Sequence, residues 1–218
     1  ADAVAQKRAA GDAYNLRMRV PDDAALDFVD FVKGTQKFIG KDIGDFIIRR
    51  MDGTPTFFFC NAIDDSLMGV THVMRGEDHL TNTPRQILIL QALGLRLPQY
   101  GHVALILGEA GDVLSKRLGS LSLNALRAEG WLPVAIVNYL SRLGHHYADE
   151  RLLSLTELAA QFGVPHLSHS PARLDSAQMR HWQQLALQQL QGEALLTWLG
   201  EALKDVPTNN REAFAAWI

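Results

Sequence analysis

The chain has 218 residues, of which 47% are hydrophobic and 21% are charged, and its formal net charge is −3. This composition is typical of a globular protein and excludes disordered and fibrous classes, while the weak negative charge excludes generic, charge-driven binding of nucleic acid. The single cysteine, Cys60, excludes both a disulfide framework and a cysteine-based zinc site.

The first part of the chain predicts a small α+β region. Its short apolar runs are bounded by Gly11, Gly34 and Gly40, which are typical turn positions. The expected elements are, in chain order, a helix at 2–10, a small sheet within 12–40, strands at 45–50 and 56–60, and a helix at 63–68.

The middle of the chain predicts a parallel crossover. Strands are expected at 70–74 and 102–107. The helix between them is bounded by Thr83 as its cap, Pro84 in its first turn and Gly94 at its end. A strand–helix–strand order implies a right-handed parallel connection, with functional groups at the carboxyl ends of the strands.

The remainder of the chain predicts helices. Helical spacing is found at 122–129, 133–143, 154–162 and 175–190. The fold class is therefore predicted to be α/β, with half of a doubly wound nucleotide-binding domain, a small α+β insert and a C-terminal α-helical part. Because no initiator methionine is present and the sequence ends abruptly, we expect a piece of a longer protein. The single cysteine and the lack of a disulfide framework fit a reducing cytoplasm, so we expect a cytoplasmic protein. No apolar stretch approaches the length of a membrane span.

Arg75 follows the strand expected at 70–74 and is a candidate binding residue. A guanidinium at the end of a parallel strand suits a substrate carboxylate, which it grips through two parallel hydrogen bonds. The alternative is a structural ion pair with Asp78 or Glu77.

Other polar and aromatic residues near Arg75 offer further contacts. Asn61 presents a donor and an acceptor to a polar substrate, or caps the helix that follows it. Asp78 and His79 lie where a ribose or an adenine would be bound, or else begin a helix and face solvent. Phe57 forms one wall of a pocket or packs on the sheet.

A basic loop at 113–117 has the sequence Val-Leu-Ser-Lys-Arg and lies between Gly111 and Gly119. The ammonium of Lys116 and the fork of donors on Arg117 suit a polyphosphate. The alternative is a solvated surface loop, because short motifs often match by chance.

Ordered segments of the chain resemble the bacterial glutamyl-tRNA synthetase family, within the class I aminoacyl-tRNA synthetases. They are Asp-Gly-Thr-Pro-Thr-Phe at 52–57, the run at 61–80, Asn-Thr-Pro-Arg-Gln-Ile-Leu at 82–88 and Val-Leu-Ser-Lys-Arg at 113–117, with shorter matches at 17–21, 129–133, 138–140 and 170–175. The resemblance covers roughly the first 180 residues, and ordered agreement of this length is more specific than a single motif.

The resemblance implies a ligase that uses ATP as a substrate together with Mg²⁺. Such an enzyme activates L-glutamate to glutamyl-adenylate and transfers the glutamyl group to the 3′-terminal adenosine of a tRNA. The implied partners are a glutamate-accepting tRNA, L-glutamate and ATP. No association with a membrane is expected. We expect a monomer, and neither zinc nor another metal ligated by this part of the protein.

The resemblance also assigns roles to residues. The glutamate-binding residues would be Arg75, Asn61 and Phe57. The ATP-binding residues would be Asp78, His79, Lys116 and Ile106 through its backbone. The catalytic loop would be Ser115, Lys116 and Arg117, in which Lys116 stabilises the negative charge that develops as pyrophosphate leaves.

Four domains are expected by the same resemblance. They are part of an insert that binds the tRNA acceptor end at 1–42, the second half of the Rossmann-like catalytic domain at 43–119, a helical stem-contact domain at 120–182 and the start of an anticodon-binding region at 183–218. The first half of the catalytic domain, with its His-Ile-Gly-His-type motif, is not found in the sequence. We therefore expect the chain alone to be inactive.

Three residues depart from the usual family pattern. Phe57 replaces a tyrosine, Val113 replaces a lysine, and Asp78 replaces a glutamate. Two other functions are therefore considered. One is the shorter paralogue that glutamylates a modified base in a tRNA for aspartate, although that protein usually lacks an asparagine at the position of Asn61. The other is a catalytically silent tRNA-binding or regulatory paralogue.

Overall fold

Two units make up the chain, Ala1–Val103 and Ala104–Ile218. The structure is a computed structural model that describes residues 2–112 and 122–200. The loop at 113–117, with Ser115, Lys116 and Arg117, lies outside the described residues, so its role stays a prediction.

The first unit combines helices and strands. Its helices are α1 (Asp2–Ala9), α2 (Gly40–Ile43), α3 (Phe57–Leu67) and α4 (Thr83–Ala92). Its strands are β1 (Leu16–Met18), β2 (Ala25–Asp30), β3 (Gly34–Ile39), β4 (Phe46–Arg49), β5 (His72–Gly76) and β6 (Gln99–Val103). A 3₁₀ segment, Glu77–Asn82, connects β5 to α4.

Four strands of the first unit form a mixed sheet in the order β3-β2-β6-β5. The pair β2–β3 is antiparallel, whereas β6 lies parallel to both β2 and β5. The predicted parallel crossover is confirmed, since α4 connects the parallel neighbours β5 and β6. The carboxyl ends of β2, β5 and β6 therefore meet at one edge of this sheet, which is where ligands bind in open α/β sheets.

The prediction of a separate small sheet within 12–40 is wrong. The β2–β3 hairpin extends the sheet that contains β5 and β6, and β1 pairs instead with β4. Gly40, expected in a turn, begins α2. Short strands carry no information in their own sequence about which strand edge is available to them, because pairing is decided by tertiary packing.

The prediction of a strand at 56–60 is also wrong, because α3 begins at Phe57. Three aromatic residues in succession favour a strand by propensity. The side chains that pack on the core are Phe58, Phe59 and Ile63, while Ala62 is fully buried. This spacing places the apolar residues on one face of a helix, so burial of that face overrides the local preference.

The strand expected at 102–107 divides into two. β6 ends at Val103, and the second unit begins with β7 (Ile106–Leu107), which pairs in parallel with β8 (Ala172–Arg173). The helices of the second unit are α5 (Leu123–Ala128), α6 (Pro133–Leu143), α7 (Leu155–Gln161), α8 (Ser176–Leu187) and α9 (Gly192–Leu199). The helices expected in this region are confirmed, with the ends of α6 unchanged and those of α5, α7 and α8 shifted by one to three residues. In the described part of the chain, no helix has both the length and the apolar character of a membrane span.

Each unit has its own hydrophobic core. In the first unit the core joins the sheet to α4 and consists of Val20, Leu26, Ile43, Phe46, Ile87, Ile89 and Tyr100. In the second unit it joins α5, α6 and α8 and consists of Leu126, Ala135, Ile136, Tyr139, Leu152, Met179, Trp182 and Ala186.

Asn138 ties α6 to the segment that precedes α7. Its side chain is fully buried, and its Nδ2 donates to the backbone oxygens of Val134 at 2.8 Å and Leu153 at 2.7 Å. Its Oδ1 accepts from the backbone N–H of Leu153 at 2.9 Å and from Arg142 at 2.8 Å. Both backbone groups of the buried Leu153 thus depend on one amide.

We expect Asn138→Ala to lower the free energy of unfolding by about 2 kcal/mol, because buried backbone groups lose their partners. Chemical denaturation of the chain measures the change. Ser141→Ala, on the same helix, is the matched control and should change stability by less than about 1 kcal/mol. Equal stabilities of the two variants would contradict this role of Asn138.

A capping box begins α7. The backbone N–H of Ser154 donates to Oε2 of Glu157 at 2.8 Å, and the backbone N–H of Glu157 donates to Oγ of Ser154 at 3.3 Å. Hydrogen bonds from the Ser154 hydroxyl and backbone, followed by one from Arg151, lower the pKa of Glu157 to about 2. The carboxylate is therefore the form that caps the helix.

We expect the stability that Glu157 contributes to be fully present above its ordinary pKa of 4.5 and to be lost as the pH falls toward about 2. Glu157→Gln cannot titrate at this position. Thermal melting from pH 6 to pH 2 should therefore show the wild type and Glu157→Gln converging as the pH falls. A difference that stays constant over this range would rule out the ionised cap.

Candidate functional site

Arg75 is held by three side chains at the carboxyl edge of the mixed sheet. Its Nε donates to Nε2 of His102 at 3.2 Å. Its Nη2 donates to Oγ1 of Thr83 at 2.8 Å and to Oε1 of Gln86 at 2.6 Å. No residue in the described part of the chain accepts a hydrogen bond from Nη1. The guanidinium is thus anchored on one side and retains donor capacity on the other.

The structural ion pair offered as the alternative for Arg75 is not formed. Glu77 binds the ammonium of Lys33 instead, with Nζ and Oε2 2.5 Å apart. Asp78 lies 3.7 Å from His79 and has a side chain that is 56% exposed. Neither carboxylate is within ion-pair distance of Arg75, so the positive charge is held by neutral groups.

The surroundings of Arg75 are partly desolvated. Burial lowers its pKa below the ordinary value, and the nearby Tyr100, Asp65 and Asp78 oppose that effect. The guanidinium carbon lies 5.5 Å from the centre of the Tyr100 ring, which burial keeps as a neutral phenol by raising its pKa to about 12. A guanidinium stays charged even so, and its attraction for an anion increases as water is excluded.

Gln86 links Arg75 to Asn61. It is fully buried on α4, accepts from Arg75 through Oε1, and donates through Nε2 to Oδ1 of Asn61 at 2.6 Å. Asn61 lies inside α3, so the expectations that it ends a strand or caps a helix are wrong. Because its Oδ1 faces Gln86, the Nδ2 group of Asn61 is the donor left for a ligand.

Thr83 has a different role from the predicted one. It is the first residue of α4, whose N-cap is Asn82, and its side chain caps no helix. The hydroxyl of Thr83 accepts from Arg75 and lies 3.0 Å from Nε2 of His102. It therefore contributes to holding the guanidinium.

His102 and Asp30 form a buried pair that the sequence reasoning missed. His102 is 0% and Asp30 is 1% exposed, and Nδ1 of the imidazole lies 2.5 Å from Oδ2 of the carboxylate. The only signal in the sequence is a charged or polar residue in each of two apolar runs. Nothing in either run indicates that residues 72 positions apart meet.

The charge state of this pair follows from its contacts. Burial would raise the pKa of Asp30, but hydrogen bonds from the Lys33 backbone, the His102 ring and the Val32 backbone outweigh it, and the pKa lies below its ordinary value. Burial lowers the pKa of His102 despite the opposing effect of Asp30, and the charge of Arg75 lowers it further. The pair is thus a carboxylate beside a neutral imidazole.

Phe57 and His79 lie near one another beside this network. Phe57, the first residue of α3, is 46% exposed, and its ring centre is 5.5 Å from that of His79. Phe57 and Asn61 are four residues apart on α3 and so share a face of the helix. Phe57 therefore is not buried in sheet packing, and the predicted glutamate-binding residues Arg75, Asn61 and Phe57 belong to one region of the first unit.

The remaining predicted residues are distributed differently. Asp78 and His79 lie in the partly exposed 3₁₀ segment after β5. Ile106 lies in β7 of the second unit, opposite Ala172. Across residues 2–112 and 122–200, no group of three or more His, Cys, Asp or Glu side chains could hold a metal ion.

The chain is similar to known proteins over almost all of its length. The family model for tRNA synthetases class I (E and Q), catalytic domain, matches residues 1–181. Glutamate--tRNA ligase 1 of Coxiella burnetii (strain CbuG_Q212) is 54% identical over 216 residues, which are 99% of this chain and 46% of that protein. Glutamate--tRNA ligase 2 of Nitrosococcus oceani is 56% identical over 209 residues, which are 95% of this chain and 44% of that protein.

A solved structure agrees with this relationship. The glutamate-tRNA synthetase from Elizabethkingia anophelis superposes with a TM-score of 0.87 at 27% identity, covering 96% of this chain and 47% of that one. The predicted α/β class is therefore confirmed. The chain spans about half the length of the curated relatives it matches. It belongs to the family of class I tRNA synthetases (E and Q), and its residues 1–181 match the catalytic domain of that family.

Proposed function

We propose that the chain is part of a glutamate–tRNA ligase that activates L-glutamate with ATP and transfers the glutamyl group to a tRNA. The observation that carries this proposal is the guanidinium of Arg75, which is anchored by neutral groups and paired with no carboxylate in the described residues. A substrate carboxylate is the group that would complete its set of hydrogen bonds.

Two neighbours of Arg75 would complete the glutamate site. Asn61 would donate from Nδ2, since its Oδ1 already accepts from Gln86. Phe57 would supply an apolar wall without the hydroxyl that the family usually has at this position. The site would therefore select glutamate through charge and shape, with one hydrogen bond fewer than is usual for the family.

The other assigned roles are proposed on the resemblance alone. Asp78, His79 and the backbone of Ile106 would contact ATP, and Lys116, with Ser115 and Arg117, would stabilise the leaving phosphates. The Mg²⁺ would arrive with ATP as part of the nucleotide substrate. Because the described residues form no metal-binding group, we assign no residue of this chain to that ion.

The domain assignments are proposed on the same ground. They are an acceptor-end insert at 1–42, the second half of the catalytic domain at 43–119, a stem-contact domain at 120–182 and the start of an anticodon-binding region at 183–218. The protein would act as a cytoplasmic monomer. Because the chain spans 46% and 44% of the two ligases compared above, the complete activity is proposed for a full-length protein that contains it.

ATP–pyrophosphate exchange tests the proposal. We expect a full-length protein that contains this chain to exchange radiolabelled pyrophosphate into ATP when glutamate is present. The assay is carried out both with and without tRNA, and exchange in either condition supports the proposal. Glutamine, the uncharged isostere, is the control substrate and should support far less exchange. Absence of exchange with glutamate under both conditions would overturn the enzyme assignment and favour a silent tRNA-binding protein.

A further inference from the structure

A line of hydrogen bonds joins Asp30, His102 and Arg75 across three strands. Asp30 ends β2, His102 lies near the end of β6, and Arg75 lies opposite His102 in β5. Nδ1 of His102 faces Oδ2 of Asp30 at 2.5 Å, and Nε2 of the same ring faces Nε of Arg75 at 3.2 Å. The imidazole therefore connects a buried carboxylate to the guanidinium.

The direction of each hydrogen bond follows from the donors. An arginine Nε–H only donates, so Nε2 of His102 has to accept, and in a neutral imidazole the proton then resides on Nδ1. That proton is donated to Oδ2 of Asp30. The carboxylate thus selects the one tautomer of His102 that accepts a hydrogen bond from Arg75.

Asp30 is itself fixed. Its Oδ1 accepts from the backbone N–H groups of Val32 at 2.9 Å, Lys33 at 2.8 Å and His102 at 3.1 Å. With Oδ1 held by backbone groups, Oδ2 has a single orientation toward the imidazole. Backbone groups at the end of β2 and in β6 thus hold the carboxylate that faces His102.

We infer that Asp30 and His102 are positioning residues for substrate binding, and that Asp30 holds His102 in the tautomer that directs the guanidinium of Arg75 toward the glutamate carboxylate. The inference rests on the proposed function for the identity of the ligand. His102 is 0% and Asp30 is 1% exposed, so neither is open to a ligand and both would act through Arg75. Misplacement of a binding group by about 1 Å is enough to lower turnover about 100-fold.

Asp30→Asn tests the tautomer directly. The amide keeps an oxygen for the three backbone donors, but it presents an N–H to Nδ1 of His102, so the ring has to move its proton to Nε2. That proton opposes Nε–H of Arg75 and faces Oγ1 of Thr83, which lies 3.0 Å from Nε2. We expect nitrogen NMR of the histidine side chains to show His102 protonated on Nδ1 in the wild type and on Nε2 in Asp30→Asn.

The kinetic test uses a full-length protein that contains the chain. For Asp30→Asn we expect the KM for glutamate in ATP–pyrophosphate exchange to rise about 10- to 100-fold, with the KM for ATP changed less than about twofold. Asp45→Asn is the matched control. Asp45 also accepts a backbone N–H, that of Val20 at 2.8 Å, but has no hydrogen bond to this line.

A pair of His102 variants separates positioning from packing. In His102→Gln, the side-chain amide oxygen can occupy the position of Nε2 and still accept from Arg75. In His102→Asn, the shorter side chain can occupy only the position of Nδ1. We expect His102→Gln to retain a glutamate KM within about threefold of the wild type and His102→Asn to resemble Asp30→Asn. In the His102→Gln background, Asp30→Asn should raise the KM less than about threefold, because no tautomer remains to be selected.

The outcomes are distinguishable. An unchanged tautomer in Asp30→Asn, or a reversed tautomer with an unchanged glutamate KM, would overturn the positioning role. So would equal losses in His102→Gln and His102→Asn, which indicate packing alone. If the wild type itself shows no glutamate-dependent exchange, the proposed function fails, and the role toward glutamate fails with it.

Discussion

Arg75→Ala is expected to abolish glutamate activation by a full-length protein that contains this chain. Nε and Nη2 of Arg75 are already bonded to protein side chains, so the two N–H groups of Nη1 are the donors left for a ligand. A charge-assisted hydrogen bond contributes about 1.5–3 kcal/mol, so loss of both corresponds to about a 1,000-fold fall in kcat/KM for glutamate. ATP–pyrophosphate exchange with varied glutamate measures this change. The KM for ATP should stay close to its wild-type value, since the substitution acts on the glutamate site.

Two further variants make the Arg75 result specific. Arg75→Lys keeps the charge but loses the planar guanidinium that His102, Thr83 and Gln86 hold in place, so we expect an intermediate loss of about 100-fold. Arg96→Ala removes an exposed arginine that follows α4 and should behave as the wild type. Circular dichroism confirms that each variant is folded. A wild-type KM for glutamate in a folded Arg75→Ala protein would remove Arg75 from the binding site.

Gly40→Ala is expected to destabilise the first unit by about 4 kcal/mol. A Cβ on Gly40 would lie 1.7 Å from the backbone oxygen of Pro21 and 2.9 Å from its carbonyl carbon. The backbone here is tied in place, because the N–H of Gly40 donates to Ala24 at 2.7 Å and that of Lys41 donates to Asp22 at 3.0 Å. The segments that contain Pro21 and Gly40 therefore cannot move apart without breaking these hydrogen bonds.

Chemical denaturation of the chain, followed by far-ultraviolet circular dichroism, measures the effect of Gly40→Ala. Gly144→Ala is the control, because a Cβ at Gly144 meets no atom within 4 Å and its φ of −124° is open to any residue. It should change stability by less than about 1 kcal/mol. A Gly40→Ala protein as stable as Gly144→Ala would show that α2 is packed less closely against Pro21.

The parts of the fold that could be predicted from the sequence are those whose ends are marked by local start and stop residues. Pro84 and Gly94 define the ends of α4, and Gly94 has the positive φ of 64° that its side-chain-free backbone permits. The crossover of β5, α4 and β6 followed from this helix. In the second unit, Ser122 and Asp175 cap α5 and α8 with their side chains, as such residues do at helix starts.

The parts that could not be predicted depend on contacts between distant residues. The aromatic run that begins at Phe57 is compatible with a strand or a helix. The helix forms because it places Phe58, Phe59 and Ile63 together against the core. The placement of the β2–β3 hairpin beside β6 depends on the available strand edge. The site also depends on contacts between residues that are distant in sequence. The sequence singles out Arg75 and Asn61 but not Gln86, which is hydrogen-bonded to both.

Thr83 shows how a local rule fails at the candidate binding site. A threonine at the start of a helix is normally its cap, yet here the hydroxyl serves Arg75 and His102. His102 was included in an apolar strand, and its polar function depends on Asp30, which pattern analysis of either strand does not reveal. Local rules are expected to fail where side chains are committed to function.

A crystal structure of a full-length protein that contains this chain, with L-glutamate bound, tests whether Arg75 binds the carboxylate of glutamate. We predict a glutamate carboxylate oxygen within about 3 Å of Nη1 of Arg75, with Nε and Nη2 still bonded to His102, Thr83 and Gln86. Glutamate bound with both carboxylates away from Arg75 would exclude Arg75 as its binding residue.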